Sequence, residues 1–167
     1  MPSLTPADIS TIKLTFKLAF SAMAISLLIG APLAWWLSRR DTLMRRFITA
    51  LTTMPFVLPP TVLGFYLLYC MGPYGPIGKI FTYFNFRLIP FTFSGLVLAS
   101  VICSMPFVVQ PLKNAFEALG ELPLEAASTL GAGPIDAFLT VMLPQTKPAF
   151  LTAAIMSFAH ATGEFGV

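Results

Sequence analysis

Apolar residues in this chain come in long unbroken runs instead of alternating with polar ones, and short charged or glycine- and proline-rich segments separate the runs. Residues 18–37 contain no charge, and a helix of that length crosses the roughly 30 Å apolar core of a bilayer. Lys13 and Lys17 precede this run at interface distance. Arg39 and Arg40 follow it as a stop-transfer flank, which together with its length distinguishes it from a cleaved leader. Further runs at about 47–71 and 91–112 predict a second and a third span. A fourth begins near Ala149 and is still apolar at Val167, so the expectation is three complete spans plus a fourth cut short at the C-terminus. The predicted fold is all-α, a polytopic transmembrane helical bundle forming one domain over residues 1–167.

Composition narrows the function. Only 10% of the 167 residues are charged and 56% are hydrophobic, whereas a soluble domain carries about a quarter charged residues. The formal charge of +3 comes mostly from residues between the runs, so it bears on membrane orientation and calls for no nucleic-acid partner. Cys70 and Cys103 fall inside apolar runs with no further ligand at metal spacing and read as small core residues, so neither metal nor cofactor is expected. With one histidine and no clustered acids, the chain lacks the nucleophile, base and orienter of an enzyme, and no residue is assigned a catalytic role.

Arg39, Arg40, Arg45 and Arg46 crowd the short connection at 38–46, against Lys79 and Arg87 in the longer one at 72–90. A Lys/Arg excess in short loops marks the cytoplasmic side, which predicts the N-terminus outside, 38–46 inside, 72–90 outside and 113–148 inside. Trp35 and Trp36 then fall at the inner interface, while Tyr66, Tyr69, Tyr74 and Tyr83 gather toward the outer one. Pro55, Pro59 and Pro60 interrupt the second run near its middle, either as a packing kink or as a bend lining a path. Gly72, Pro73, Gly75, Pro76 and Gly78 open the outer loop. Phe81, Tyr83, Phe84 and Phe86 follow and suggest a short helix lying on the membrane surface.

The inner segment before the fourth run is the most informative. Pro123 suits a first helical turn, Gly131 a left-handed C-cap, and Gly133-Pro134 a restart, which predicts helix, sharp turn, helix. Leu124, Ala127 and Leu130 recur every three residues as a narrow apolar stripe, rimmed by Glu121 and Glu125. A helix this short needs something to dock against.

Glu125-Ala126-Ala127, three residues, Gly131, nine residues, Val141, one residue and Leu143-Pro144 together resemble the inner-loop signature of permease subunits of ATP-binding-cassette importers. A chance match at a given start is on the order of one in ten million. The resemblance implies that 121–144 is a cytoplasmic coupling loop inserting into a separate ATPase subunit. Glu125, Ala126, Ala127, Gly131, Leu143 and Pro144 would be its key positions. No phosphate-binding loop of the chain's own accompanies it, since Gly78-Lys79 has the wrong glycine spacing and is followed by Ile80.

Leu58-Pro59-Pro60-Thr61-Val62-Leu63-Gly64, the glycine-rich outer loop, and Gly163-Glu164-Phe165-Gly166 are similar to the molybdate branch of these permeases. The last motif is shared with sulfate and thiosulfate permeases, so the readings are a molybdate or tungstate permease, a sulfate permease, or a truncated fragment that does not transport. The resemblance further implies a bacterial inner-membrane location, an external oxyanion-binding protein, a second permease copy forming a homodimer, and surrounding lipid. Candidate path or gate residues are Pro59, Pro60, Thr61, His160 and Glu164. An ionised Glu164 would repel an oxyanion, so it is expected to be protonated, paired, or a contact between helices. His160 shares its helical face four residues earlier and is the nearest candidate partner, at a position where the family usually carries Arg.

Overall fold

The computed structural model describes residues 6–39, 41–72, 74–76, 78–79 and 92–165. The surface helix expected at Phe81 to Phe86, together with Arg40, Arg87, Gly166 and Val167, lies outside the described residues.

All regular structure among them is helical. The elements are α1 (Pro6–Ser38), α2 (Leu43–Val57), α3 (Pro60–Met71), α4 (Phe93–Leu119), α5 (Leu122–Thr129), α6 (Pro134–Ala137), a π-helical turn (Phe138–Met142), α7 (Leu143–Gln145) and α8 (Lys147–Phe165). α1 and α4 are long and apolar enough to cross a membrane, and α2 with α3 makes a third if the bent pair is one span. α8 is the helix expected for the fourth run. It spans 19 residues, and Lys147, His160 and Glu164 lower its hydropathy. Cys70 and Cys103 are free thiols, the first half-buried and the second buried.

The break in the second run falls where the prolines placed it, but only two of them make it. Pro55 sits inside α2, whereas the helix stops at Val57 and restarts at Pro60, with Pro59 extended between two axes bent by 117°. Adjacent prolines remove successive amide donors, and the second fixes φ for a new first turn, so the ladder cannot be carried through. α4 starts at Thr92, whose hydroxyl accepts from the Gly95 N–H at 3.2 Å, and ends at Gly120, where φ is +71.

α1, α4 and α8 pack against one another, and α2 leans on α4. Their contact lines are built of small residues: Ala19, Ala22, Ser26 and Ala34 on α1, Ser100 and Ser104 on α4, and Ala153, Ser157 and Ala161 on α8, all fully buried. Small side chains let helix backbones approach closely, which is how transmembrane helices gain contact where lipid is as apolar as leucine. Gly30 marks the tightest point. A Cβ placed there would stand 2.7 Å from Val108 Cγ1 and 3.4 Å from its Cβ, and a β-branched side chain has little freedom to yield.

Gly30→Ala is therefore expected to destabilise the bundle by about 1–3 kcal/mol, read as a lower melting temperature in detergent. Ser104→Ala tests the converse: the Ser104 hydroxyl is buried with no hydrogen-bond partner among the described residues. Removing it should leave the melting temperature unchanged or raise it.

Candidate functional site

The segment from α5 to α7 folds as two helices around one tight turn. Pro123 lies in the first turn of α5 and Pro134 opens α6. Between them Gly131 takes φ +86. Its N–H donates to the Ser128 carbonyl at 3.0 Å, and the Ala132 N–H donates to the Ala127 carbonyl at 3.1 Å. These paired bonds are a Schellman turn, which needs a left-handed residue at this position. A Cβ on Gly131 would meet nothing within 4 Å, so the requirement is conformational and not steric.

Beyond α6 the helix widens into the π turn before Leu143 and Pro144. Pro144 accounts for this, because it has no amide to bond toward Thr140 and its ring pushes the preceding turn away. Thr146 closes the segment, its N–H and hydroxyl both donating to the Met142 carbonyl at 3.0 and 2.7 Å.

Two opposite faces result. Leu124, Ala127, Ala137 and Met142 turn inward and join a core cluster with Leu37, Leu112 and Phe116. Trp35 and Phe138 close over them with ring centroids 4.9 Å apart, and Phe116 stands 6.1 Å from Phe138 and 6.2 Å from Phe150. Burying a side chain such as Leu124 stabilises by about 1.5–3 kcal/mol. The expected apolar stripe is therefore split: Leu124 and Ala127 dock on the chain's own bundle, and Leu130, 89% exposed, points away.

Leu122, Ile135 and Leu139 are exposed as well, at 78%, 74% and 53%. Of the residues singled out by the motif, Glu125, Ala126, Gly131 and Pro144 are exposed, Leu143 is half-buried and Ala127 is buried. Ile135 and Leu139 were missed by the sequence reading. Their signal was an apolar pair four apart in a segment read as lying outside the bilayer.

The other candidates lie along the bundle. Pro59 and Thr61 are exposed at the break, where Pro60 begins α3. Phe56, just before the break, meets Phe107 of α4 edge-on at 4.7 Å, and Phe107 in turn stacks on His160 at 4.4 Å. The expected pairing of His160 with Glu164 is not formed. Their four-residue spacing puts them on one face of α8, but α4 offers each its own neighbour, Phe107 for His160 and, one turn earlier, the Cys103 thiol for the Glu164 carboxyl. Glu164 Oε2 is buried and has no hydrogen-bond partner among the described residues.

Cations and indoles gather at one end of the bundle. Arg39 stacks over Trp35 at 4.6 Å and Arg45 over Trp36 at 4.7 Å. Arg46 Nε donates to Asp41 Oδ1 at 2.7 Å, and a second guanidinium nitrogen donates to Oδ2. Those hydrogen bonds hold the Asp41 carboxyl below its ordinary range. The stabilisation they give is therefore present above the ordinary carboxylate pKa and is lost only as pH falls through the lowered value. At the opposite end Lys17 stands over Phe93 at 5.3 Å.

Residues 16–167 match the family described as binding-protein-dependent transport system inner membrane component. The chain is 56% identical over 164 residues to the molybdenum transport system permease protein ModB of Azotobacter vinelandii, covering 98% of this chain and 73% of that protein. It is 36% identical over 160 residues to the ModB of Haemophilus influenzae, covering 95% and 69%. A probable sulfate transport system permease protein, cysT of Chlorella vulgaris, is 36% identical over 161 residues, covering 96% of this chain and 60% of its own length.

The turn can be tested apart from any partner. Gly131→Val forces a β-branched residue into the left-handed region at a cost of about 1–2 kcal/mol, with no clash to confuse the result. Hydrogen exchange at the amides of position 131 and of Ala132 should accelerate in this variant. Gly131→Asn, which tolerates that region, should exchange more slowly than the valine variant. Equal exchange in all three proteins would mean that the turn does not depend on glycine.

Proposed function

The chain belongs to the family of binding-protein-dependent transport system inner membrane components, and from that membership we propose that it forms the membrane path of an importer for molybdate or tungstate. ATP is hydrolysed by a separate subunit, an external binding protein delivers the oxyanion, and a second copy of the chain completes the path. The N-terminus is outside. Arg39, Arg45, Arg46 and Lys113 at one end of the bundle support that orientation, since cationic connections stay in the cytoplasm. The likeness to the Azotobacter vinelandii molybdenum permease, which stands well above that to the sulfate permease, supports the choice of substrate.

The observation that carries the coupling role is the two-faced segment from α5 to α7. Its inner face is locked to α1 and α4 through Leu124, Ala127 and Met142, while Leu122, Leu130, Ile135 and Leu139 stand exposed. An apolar face outside the lipid is unfavourable unless a partner covers it. The ATPase subunit is that partner, and Glu125 at the rim offers a carboxylate to a basic residue of its groove. Movement of the ATPase is then passed to the spans as rigid-body motion, because the segment has no slack between its two faces. Along the path, hydroxyls such as Thr61 and backbone dipoles at the break handle the anion in preference to fixed charge.

Reconstitution with an ATPase subunit and an oxyanion-binding protein of a molybdenum importer tests the substrate: molybdate or tungstate should stimulate ATP hydrolysis and sulfate should not. Stimulation by sulfate alone would reassign the chain to the sulfate branch. For the coupling face, Leu130→Asp and Ile135→Asp should each weaken ATPase binding at least about tenfold while leaving the melting temperature in place, because both side chains are solvent-exposed. Binding that survives both changes would overturn the docking role.

A further inference from the structure

Where α1 gives way to α2, a cleft of about 620 Å³ opens against α4. Four cations line it, Arg39, Arg45, Arg46 and Lys113, against two carboxylates, Asp41 and Glu117. The carboxylates are engaged by Arg46, through the pair of hydrogen bonds described above, and by Lys113 at 3.0 Å. The cleft as a whole therefore keeps a positive excess. Arg39 and Arg45 are held at the cleft by cation–π contacts with Trp35 and Trp36. Thr49, Thr53 and Gln110 also line it. Such a lining suits a phosphate with a hydroxylated headgroup.

The outer wall of this cleft is α2, and α2 buries none of its side chains. Arg45, Arg46, Thr49 and Thr53 face the cleft, while Leu43, Phe47, Leu51 and Met54 stand exposed at 86%, 69%, 54% and 52%. These four recur at helical spacing and make an apolar ladder on the side of α2 turned away from the cleft. A soluble anion would gain nothing from that ladder, whereas a phospholipid fits both parts at once.

We propose that the cleft holds the headgroup of an anionic phospholipid, with its acyl chains lying along the exposed face of α2. Basic pockets between helices at a membrane interface favour anionic headgroups by charge, and the indoles of Trp35 and Trp36 belong at the same depth. Assigning the lipid to the cytoplasmic leaflet rests on the orientation proposed above; the cleft itself does not. A lipid here would brace α2, which otherwise leans on α4 and touches α1 through Arg45 over Trp36.

The permease, purified in detergent and stripped of lipid, is titrated with phosphatidylglycerol or with phosphatidylcholine of the same acyl chains, and retention is followed by native mass spectrometry and melting temperature. Phosphatidylglycerol should be retained and raise the melting temperature, and phosphatidylcholine should do neither. Arg45→Gln with Lys113→Gln should lower phosphatidylglycerol retention about twenty-five-fold, from roughly fivefold per basic residue, whereas Lys147→Gln, outside the cleft, should not. Equal retention of the two lipids, or full retention by the double variant, would overturn the proposal. So would stabilisation by inorganic phosphate matching that by phosphatidylglycerol, which would make the cleft a site for soluble anions. If the double variant does not fold, the wild-type protein decides: its preference for phosphatidylglycerol must shrink as sodium chloride is raised, and a salt-insensitive preference would refute a charge-based site. No ATP, ATPase, molybdate or tungstate enters these measurements, so their result is independent of whether the transport reading holds.

Discussion

Lipid tails are as apolar as leucine, so burying hydrophobic surface does not by itself hold transmembrane helices together. Association depends on how closely the backbones approach. In this chain that approach is set by the small residues along α1, α4 and α8, and most sharply by Gly30 against Val108. The contact line continues through Ala34 and Leu37 to the end of α1. There it delivers Trp35 to the same place as Phe116 of α4, and these two rings with Phe138 form the seat of the α5 to α7 segment. A wider spacing between α1 and α4 would pull that seat apart. Packing in the middle of the bundle and the geometry at its end are thus one constraint.

The segment on that seat is stiff for reasons that are local. Gly131 supplies the one left-handed residue in its turn, Thr146 pins its far end to Met142, and four buried side chains fasten its inner face. A short helix of eight residues is unstable alone in water, so α5 exists because it is fastened. The same fastening leaves a defined outer face, since residues 122, 130, 135 and 139 cannot turn inward once 124, 127, 137 and 142 have. Stiffness and an exposed apolar surface therefore have one cause.

Much of this was legible beforehand. Chargeless runs gave the long helices, because length and hydropathy are properties of consecutive residues. The Gly131 turn and the restart at Pro134 were also readable, since glycine and proline act through their own backbone. What sequence could not supply was the identity of the opposing surface. Leu124, Ala127 and Leu130 share a spacing, yet two of them join the buried core cluster while the third meets solvent, and no periodicity distinguishes these cases. His160 and Glu164 fail in the same way. Their spacing puts them on one face of α8, and α4 then separates them with Phe107 and Cys103. Pro55 differs from Pro59 and Pro60 for a related reason: a lone proline loses one bond that a helix can absorb, whereas two in succession leave no ladder to resume.

The ring series from Phe56 through Phe107 to His160 joins these parts. It runs from the end of α2, beside the break, across α4 to α8, and so ties the broken second run to two of the packed helices. Aromatic stacking is apolar and directional, which lets it hold a bend without placing charge beside it. Fixed charge instead collects at the basic end, where Arg39, Arg45 and Arg46 are each held by an indole or a carboxylate. An oxyanion passing through such a molecule would meet few fixed charges in the span and many at one mouth. That distribution avoids a deep electrostatic trap along the path, because an anion held strongly by a buried cation would leave slowly, and a path must release what it admits.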